Sequence, residues 1–363
     1  MKQNAKCAVM TGVNLPLEIR QYPLTPARDG LVQLSLEASG ICGTDLHILR
    51  GKLSASLPAA IGHEFVGRIT DITPADSKAY NLHPGDTAIV DIACPCGKCP
   101  LCLAGDDANC LHMGVTNGGD PDTAPHFYGG YGEYCYAPPA NLVRVPDSLD
   151  PRMVSVFACA GPTSLHAFSL ARQAGVDPAS IRSAVVQGLG PVGCFAILYL
   201  AALGVPDIIA VTGHPNETRA DYARRCGATE VMDYATLGEE AVLARIRERT
   251  GIGADLVFEA SGNPAAFAQG LQMLRNRGCY LVPGQYSNSG SVSIPPQLIT
   301  FAALHIIGSS QYSLRDVENY LAFLESHPAL HATVSAAAQA YPVSAVNCAL
   351  RDAGKNVKTI LVR

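Results

Sequence analysis

Tryptophan is absent from the sequence, and aromatic residues of all kinds make up only 6%. No tryptophan can therefore shape a ligand pocket. Long apolar runs are missing as well. The most apolar segment, PVGCFAILYLAALGV from Pro191 to Val205, is shorter than the roughly 20 residues that span a bilayer. The opening MKQNAKCAVMTG contains no apolar h-region, so no signal peptide is expected. Charge is sparse, with 16% charged residues and a formal net charge of −5. No long basic run occurs, which argues against nucleic acid or an anionic membrane as a partner. There is no internal repeat and no low-complexity tract. A soluble, cytoplasmic chain is the expectation.

What is plentiful is hydrophobic residues, 48% of a 363-residue chain. That is enough for sizeable cores, and the length suits two domains of roughly 150 residues or more. Cysteine is also plentiful. Thirteen thiols, an odd number, argue against a disulfide framework and turn attention to metal binding or catalysis.

Composition shifts near Asp150. Before it, short β-prone runs (LVQLSLEASG, FVGRITDI, DTAIVDIA, GEYCYA) are separated by turn signals such as His83-Pro84-Gly85-Asp86. This predicts a β-rich domain with few helices. After it, apolar runs alternate with helical stretches: SAVVQGLG, then 191–204; DIIAV, then 217–226; EVMDY, then 238–250; DLVFEA, then 264–275; and GCYLVPG. Such alternation predicts βαβ units and a doubly wound parallel sheet, an α/β fold. A further helix is expected over 314–326, and a last strand at TILVR.

VVQGLGPVG places Gly188, Gly190 and Gly193 as GxGxxG between a predicted strand and a predicted helix. In that context it reads as a dinucleotide site rather than a plain βα turn. Gly188 allows the turn, Gly190 lets the backbone approach a pyrophosphate, and Gly193 lets helix and strand pack. The helix start at Pro191 and Val192 faces the phosphates. The second strand ends at Thr212, Gly213 and His214, without the carboxylate that usually holds a ribose 2′-hydroxyl. Arg219 follows, either as a phosphate ligand or as a solvated first-turn residue. The expected cofactor is NAD or NADP, leaning to NADP.

CPCGKCPLCLAGDDANC carries Cys96, Cys99, Cys102 and Cys110, with Cys94 left over. Two C-x-x-C steps and a returning cysteine can surround one ion with four thiolates, as a structural zinc site does. An iron–sulfur cluster or reactive thiols are the alternatives. A second constellation is scattered: Cys42, Thr44, Asp45 and His47 in ICGTDLHILRG, His63 and Glu64 in GHEFVG, and Cys159 in FACAGPTSLHAF. A lone Cys or His is ordinarily a satisfied packing residue. Together they suggest a Cys–His–Cys zinc site with an open fourth position.

GICGTDLHILRG, GHEFVG, HPGDTAIV, CGKCPLC…GDDANC, GGYGEYC, GLGPVG and FEASG follow one another along nearly the whole chain. In this order the chain resembles the zinc-dependent medium-chain dehydrogenase/reductase family, the alcohol dehydrogenases. The resemblance implies a GroES-like catalytic domain over residues 1–160 and 308–363, with a structural-zinc lobe at about 94–112. It implies a Rossmann domain over 161–307, with the active site in the cleft between the two. It assigns Cys42, His63 and Cys159 to a catalytic zinc, and Cys96, Cys99, Cys102 and Cys110 to a structural one, two zinc ions per chain. Glu64 is implied to approach the catalytic metal during exchange of bound water, and Asp45 to accept a hydrogen bond from His63. Thr44 and His47 are implied to relay the alcohol proton, although Thr44 also reads as an N-cap.

The implied function is hydride transfer between NAD(P) and a small alcohol or carbonyl, in a homodimer or homotetramer. A polyol or amino-alcohol dehydrogenase of the same family is the nearest alternative. A zinc-free quinone or enoyl reductase would need neither cysteine set, and metal storage leaves the glycine turn unexplained. A non-catalytic protein keeping the fold would be free to lose Cys42, His63 or Thr44. The glycine-rich stretch 114–132 is expected to be a loop near the cleft or an interface.

Overall fold

The computed structural model describes residues 3–214, 216–285 and 287–363. The chain divides into two compact units, Met1–Pro162 with Gln311–Arg363, and Thr163–Ser310.

The first unit is built on a mixed sheet. Its path runs through Leu142–Arg144, Thr87–Val90, Glu64–Asp71, Val32–Gly40, Lys358–Val362 and Ala338–Pro342, and Tyr134–Ala137 also pairs with Val32–Gly40. The alternation in VQLSLEASG explains the central strand. Val32, Leu34 and Leu36 turn to one face and pack with Phe65, Ile69, Val90 and Leu361 in a buried core. A smaller sheet pairs Asn4–Met10 with Glu18–Pro23 and Ala59–Ala60. The strands Asn4–Met10, Glu18–Pro23 and Ala338–Pro342 have no counterpart among the sequence expectations. Glu18–Pro23 and Ala338–Pro342 contain no fully buried residue, so neither gives a hydrophobic alternation to read.

The second unit is an all-parallel sheet of six strands. Its order is Glu230–Asp233, Asp207–Thr212, Ser183–Gln187, Ala254–Glu259, Leu274–Val282, His305–Gly308. In order of appearance this is 3-2-1-4-5-6, the Rossmann arrangement. The most apolar segment of the sequence becomes helix Pro191–Ala202, buried continuously from Gly193 to Leu200. A helix that is apolar all round has no face to offer water and sits inside. The helix expected over 264–275 ends at Met273, and a strand begins at once at Leu274. Among the described residues no helix is long and apolar enough to cross a membrane. All thirteen cysteines are free thiols.

Candidate active site

Within the first unit, four residues from three segments converge. One ligand-capable atom from each of Cys42, His63, Glu64 and Cys159 lies within 4.8 Å of the others. Cys42 stands at the start of helix Gly43–Leu49, His63 and Glu64 at the start of strand Glu64–Asp71, and Cys159 just before helix Ala160–Gln173. Cys42, not Thr44, is the N-cap of its helix, so the N-cap reading of Thr44 does not hold. The Cys42 amide donates to Asp45 Oδ2 at 2.9 Å. Asp45 Oδ1 faces His63 Nδ1 at 3.3 Å, with both side chains sealed from solvent. Cys42 Sγ lies 3.7 Å from Thr44 Oγ1. His47 lies three residues further along the same helix, half-buried.

The electrostatics suit a cation. The Cys42 thiol is held well below its usual range by a hydrogen bond from Cys159, against the cost of burial, with help from His63 and Lys358. Burial opposes charge on His63, yet the Asp45 carboxylate and the Cys42 thiolate outweigh it and push its pKa upward. Burial pushes the Glu64 carboxyl up to about 7 against the pull of Lys358. The Cys42 sulfur and the Glu64 carboxylate are gathered beside His63 and Lys358, and two thiols with an imidazole form a donor set that zinc accepts.

Cys96, Cys99, Cys102 and Cys110 form a second cluster, again within 4.8 Å. Backbone amides aim at the sulfurs: Cys96 N–H at Cys110 Sγ (3.2 Å), Cys102 N–H at Cys99 Sγ (3.5 Å) and His112 N–H at Cys110 Sγ (3.3 Å). The amides of Cys102 and Leu111 draw Cys99 down to about 6, while burial and its thiol neighbours push Cys102 up to about 12. Four thiolates do not coexist there without a cation, and a four-sulfur set fits zinc. Cys94 stands outside this cluster and donates to Asn141 Oδ1 at 3.4 Å.

The 114–132 stretch braces the approach to His63. Gly118 N–H donates to Ala60 O, Ala60 N–H to Gly119 O, Gly130 N–H to Gly62 O and Tyr131 N–H to Ile61 O. Gly62 has φ +92° and lies under the Tyr131 ring, where a Cβ would collide. Two residues of the site escaped the sequence reading, Tyr131 and Lys358. Lys358 Nζ ion-pairs with Glu64 Oε2. Its one local signal is a lysine opening the strand KTILV, apolar from Ile360 onward.

In the second unit, Gly188 (φ +96°) ends strand Ser183–Gln187 and passes close to Ser261, and a Cβ on Gly193 would overlap Gly188 O. Gly190 caps helix Pro191–Ala202, so Pro191 and Val192 form its first turn. The space where Gly190 and Gly213 would carry a Cβ is open. Thr212 Oγ1 is engaged by its own turn, donating to His214 O at 3.0 Å and accepting from His214 N–H at 3.2 Å. Arg219 sits half-buried in the first turn of helix Glu217–Cys226, and burial lowers its pKa. Asp221 pairs with Arg224 at 2.6 Å.

A Rossmann unit with an open glycine turn, joined in one chain to a β-rich unit with two cysteine-centred clusters, defines a zinc-binding, nucleotide-dependent oxidoreductase. Residues 28–147 match the alcohol dehydrogenase GroES-like domain and residues 191–326 the zinc-binding dehydrogenase domain. The chain is 31% identical over 315 residues to 5-exo-hydroxycamphor dehydrogenase of Pseudomonas putida, covering 85% of this chain and 84% of that one. It is 31% identical over 282 residues to L-threonine 3-dehydrogenase of Bacillus subtilis, covering 76% and 72%. The crystal structure of an alcohol dehydrogenase from Thermotoga maritima shares the fold, with a TM-score of 0.88, 23% identity and 99% of both chains covered. The chain belongs to the zinc-dependent medium-chain alcohol dehydrogenase family. It is an NAD(P)-dependent oxidoreductase acting on CH–OH donors.

Proposed function

We propose that Cys42, His63 and Cys159 hold a catalytic zinc, that Cys96, Cys99, Cys102 and Cys110 hold a structural one, and that Gly188–Gly193 seats the cofactor pyrophosphate. The observation that carries the reading is the convergence of two thiols and an imidazole beside the Thr44 hydroxyl. Zinc bound there supplies Lewis acidity toward an alcohol or carbonyl oxygen, and a nicotinamide supplies the hydride acceptor or donor.

The chain's own residues do the rest. Asp45 fixes the His63 ring by facing Nδ1, which leaves Nε2 as the ligand nitrogen. Thr44 Oγ1 takes the alcohol proton and passes its own on toward His47, which shares a helix face with it. Burial, with Lys52 and Arg50 nearby, lowers the His47 pKa below 6.5. The downward shift favours the neutral imidazole, the form that accepts a proton and can release it to water. Glu64, paired with Lys358, would not be a resting ligand and would approach the metal only during exchange of bound water.

Thr212, Gly213, His214 and Arg219 are read as the ribose end of the cofactor site, where the missing carboxylate favours NADP at least as well as NAD. A homodimer or homotetramer is favoured by apolar surface such as Phe301, 83% exposed near the terminal strand His305–Gly308. Thirteen free thiols favour the cytoplasm. The test is a panel of alcohols, polyols, amino alcohols and their carbonyl forms, run with both cofactors and followed at the nicotinamide absorbance. Turnover in the parent and its loss in Cys42→Ser is the expected result. No turnover on any class would remove the catalytic reading.

A further inference from the structure

Strand pairing sets up a contact between two charges that lie at opposite ends of the chain. Strand Val32–Gly40 runs between Glu64–Asp71 and Lys358–Val362. Gly40 is opposite Glu64 on one side and Ile360 on the other. Directly paired residues share a face of a sheet, as do residues two apart on one strand. Lys358 therefore projects to the face that carries Glu64. Because Gly40 has no side chain, the lysine crosses the middle strand, and its Nζ meets Glu64 Oε2 with each side chain 1% exposed. A Cβ on Gly40 would overlap both the Glu64 carboxylate and Lys358 Cε. The same carboxylate is within 4.8 Å of the ligand atoms of Cys42, His63 and Cys159. With a metal held by the cluster, it would lie between two cationic partners, that metal and the ammonium of Lys358.

We infer that Lys358 is a positioning residue that holds the Glu64 carboxylate off the metal, and so keeps one coordination position of the Cys42–His63–Cys159 site open to the substrate oxygen. The inference rests on the reading that these three residues hold the metal. The restraint is electrostatic. If Glu64 moved onto the metal it would leave a buried ammonium without its counter-charge, and an uncompensated buried charge is strongly disfavoured. Without Lys358 the balance reverses, and the metal becomes the cation at hand for a buried carboxylate. The open site would then close with a fourth protein ligand.

Cobalt(II) loaded into the full-length protein reports this directly. Its visible absorption is assigned to the site by its loss in Cys42→Ser, and imidazole serves as the added ligand. In the parent, imidazole shifts the spectrum. In Lys358→Met the shift is expected to vanish, and release of cobalt to a chelator to slow about tenfold, the scale at which residues around the ligands affect metal affinity. Combining Lys358→Met with Glu64→Gln should restore the shift. Glu64→Gln alone should leave the parent's cobalt spectrum in place, because the paired carboxylate is not a ligand. That variant does not depend on the folding of Lys358→Met, and Lys358, left without its counter-charge, can shed its proton and stay buried as the neutral amine; circular dichroism checks that its fold is kept. A parent without Cys42-dependent cobalt absorption would remove the site and the inference together. An undiminished imidazole shift or faster release in Lys358→Met, or an altered spectrum in Glu64→Gln, would overturn the role of Lys358 and leave the site standing.

Discussion

The Asp45 carboxylate stands 3.3 Å from His63 Nδ1 with one oxygen and accepts the Cys42 amide at 2.9 Å with the other. A single buried side chain thereby ties together the two segments that carry the first two candidate ligands. Asp45→Asn keeps the shape and removes the charge. Its amide can present a donor where His63 needs an acceptor, which misorients the ring. Metal affinity should fall about 10–100-fold, measured by competition with a chromophoric chelator. Unchanged affinity would reduce Asp45 to a helix cap.

Two zinc ions per chain are expected in the parent and one in each of Cys42→Ser and Cys99→Ser. The two losses should differ in their effect on stability. The segment around Cys96–Cys110 has little core of its own: its helix Pro100–Leu103 is one turn long, and Leu103 and Leu111 are exposed. With a proposed structural zinc ordering it, Cys99→Ser should lower the thermal midpoint more than Cys42→Ser. Metal analysis and thermal unfolding check both points, and a single zinc in the saturated parent contradicts the first.

Thr44→Val retains the volume and deletes the hydroxyl. Turnover should drop about 10²–10⁴-fold, the usual contribution of a proton-transfer group, with cofactor binding little changed. A loss of less than about threefold would leave Thr44 as a packing residue.

His47 carries a pH signature of its own. Its pKa is lowered by burial and by Lys52 and Arg50, so the neutral, proton-accepting form persists below pH 6.5 and is lost only as pH falls further. Alcohol oxidation should show an acid limb below pH 6.5. His47→Gln should lower the rate and flatten that limb, read from kcat against pH. The sign for stability agrees: a histidine with a depressed folded pKa disfavours the folded state only as pH falls below its unfolded value.

Cofactor choice turns on Arg219. With no carboxylate at Thr212–His214, and with Asp221 paired to Arg224, a 2′-phosphate meets no anionic side chain of the strand end. NADP should be used at least as well as NAD, and Arg219→Ala should lose NADP use selectively, by kcat/KM with each cofactor. A parent that prefers NAD tenfold, with no selective loss in the variant, contradicts this reading.

The second unit was largely legible because its signals are local. Most of its strands carry a short apolar run and most of its helices begin or end at glycine, proline or asparagine, so the alternation that predicts a parallel sheet is visible without contacts. Helix Glu217–Cys226 fell on the expected residues. The helix expected over 264–275 ran two residues too far because the apolar pattern continues unbroken from Met273 into the strand at Leu274. In the first unit, strands such as Glu18–Pro23 are held by pairing with Asn4–Met10 and show no alternation of their own.

Spacing along the chain determined the candidate thiol set Cys96–Cys110, the glycine turn at Gly188–Gly193, and the residue types available for the open cluster. These are properties of neighbours in sequence, where the chain's short reach leaves few arrangements. Only the tertiary structure decided that Cys42, His63, Glu64 and Cys159 meet in one place. It also decided that Asp45 spans two of their segments, that the 114–132 stretch braces residues 60–62, and that Lys358 crosses Gly40 to reach Glu64. The physical reason is register. Which residue of one strand lies opposite which residue of another is set by the joint burial of a whole face, and a lysine near the end of the chain carries no local mark of the glutamate that strand pairing sets beside it.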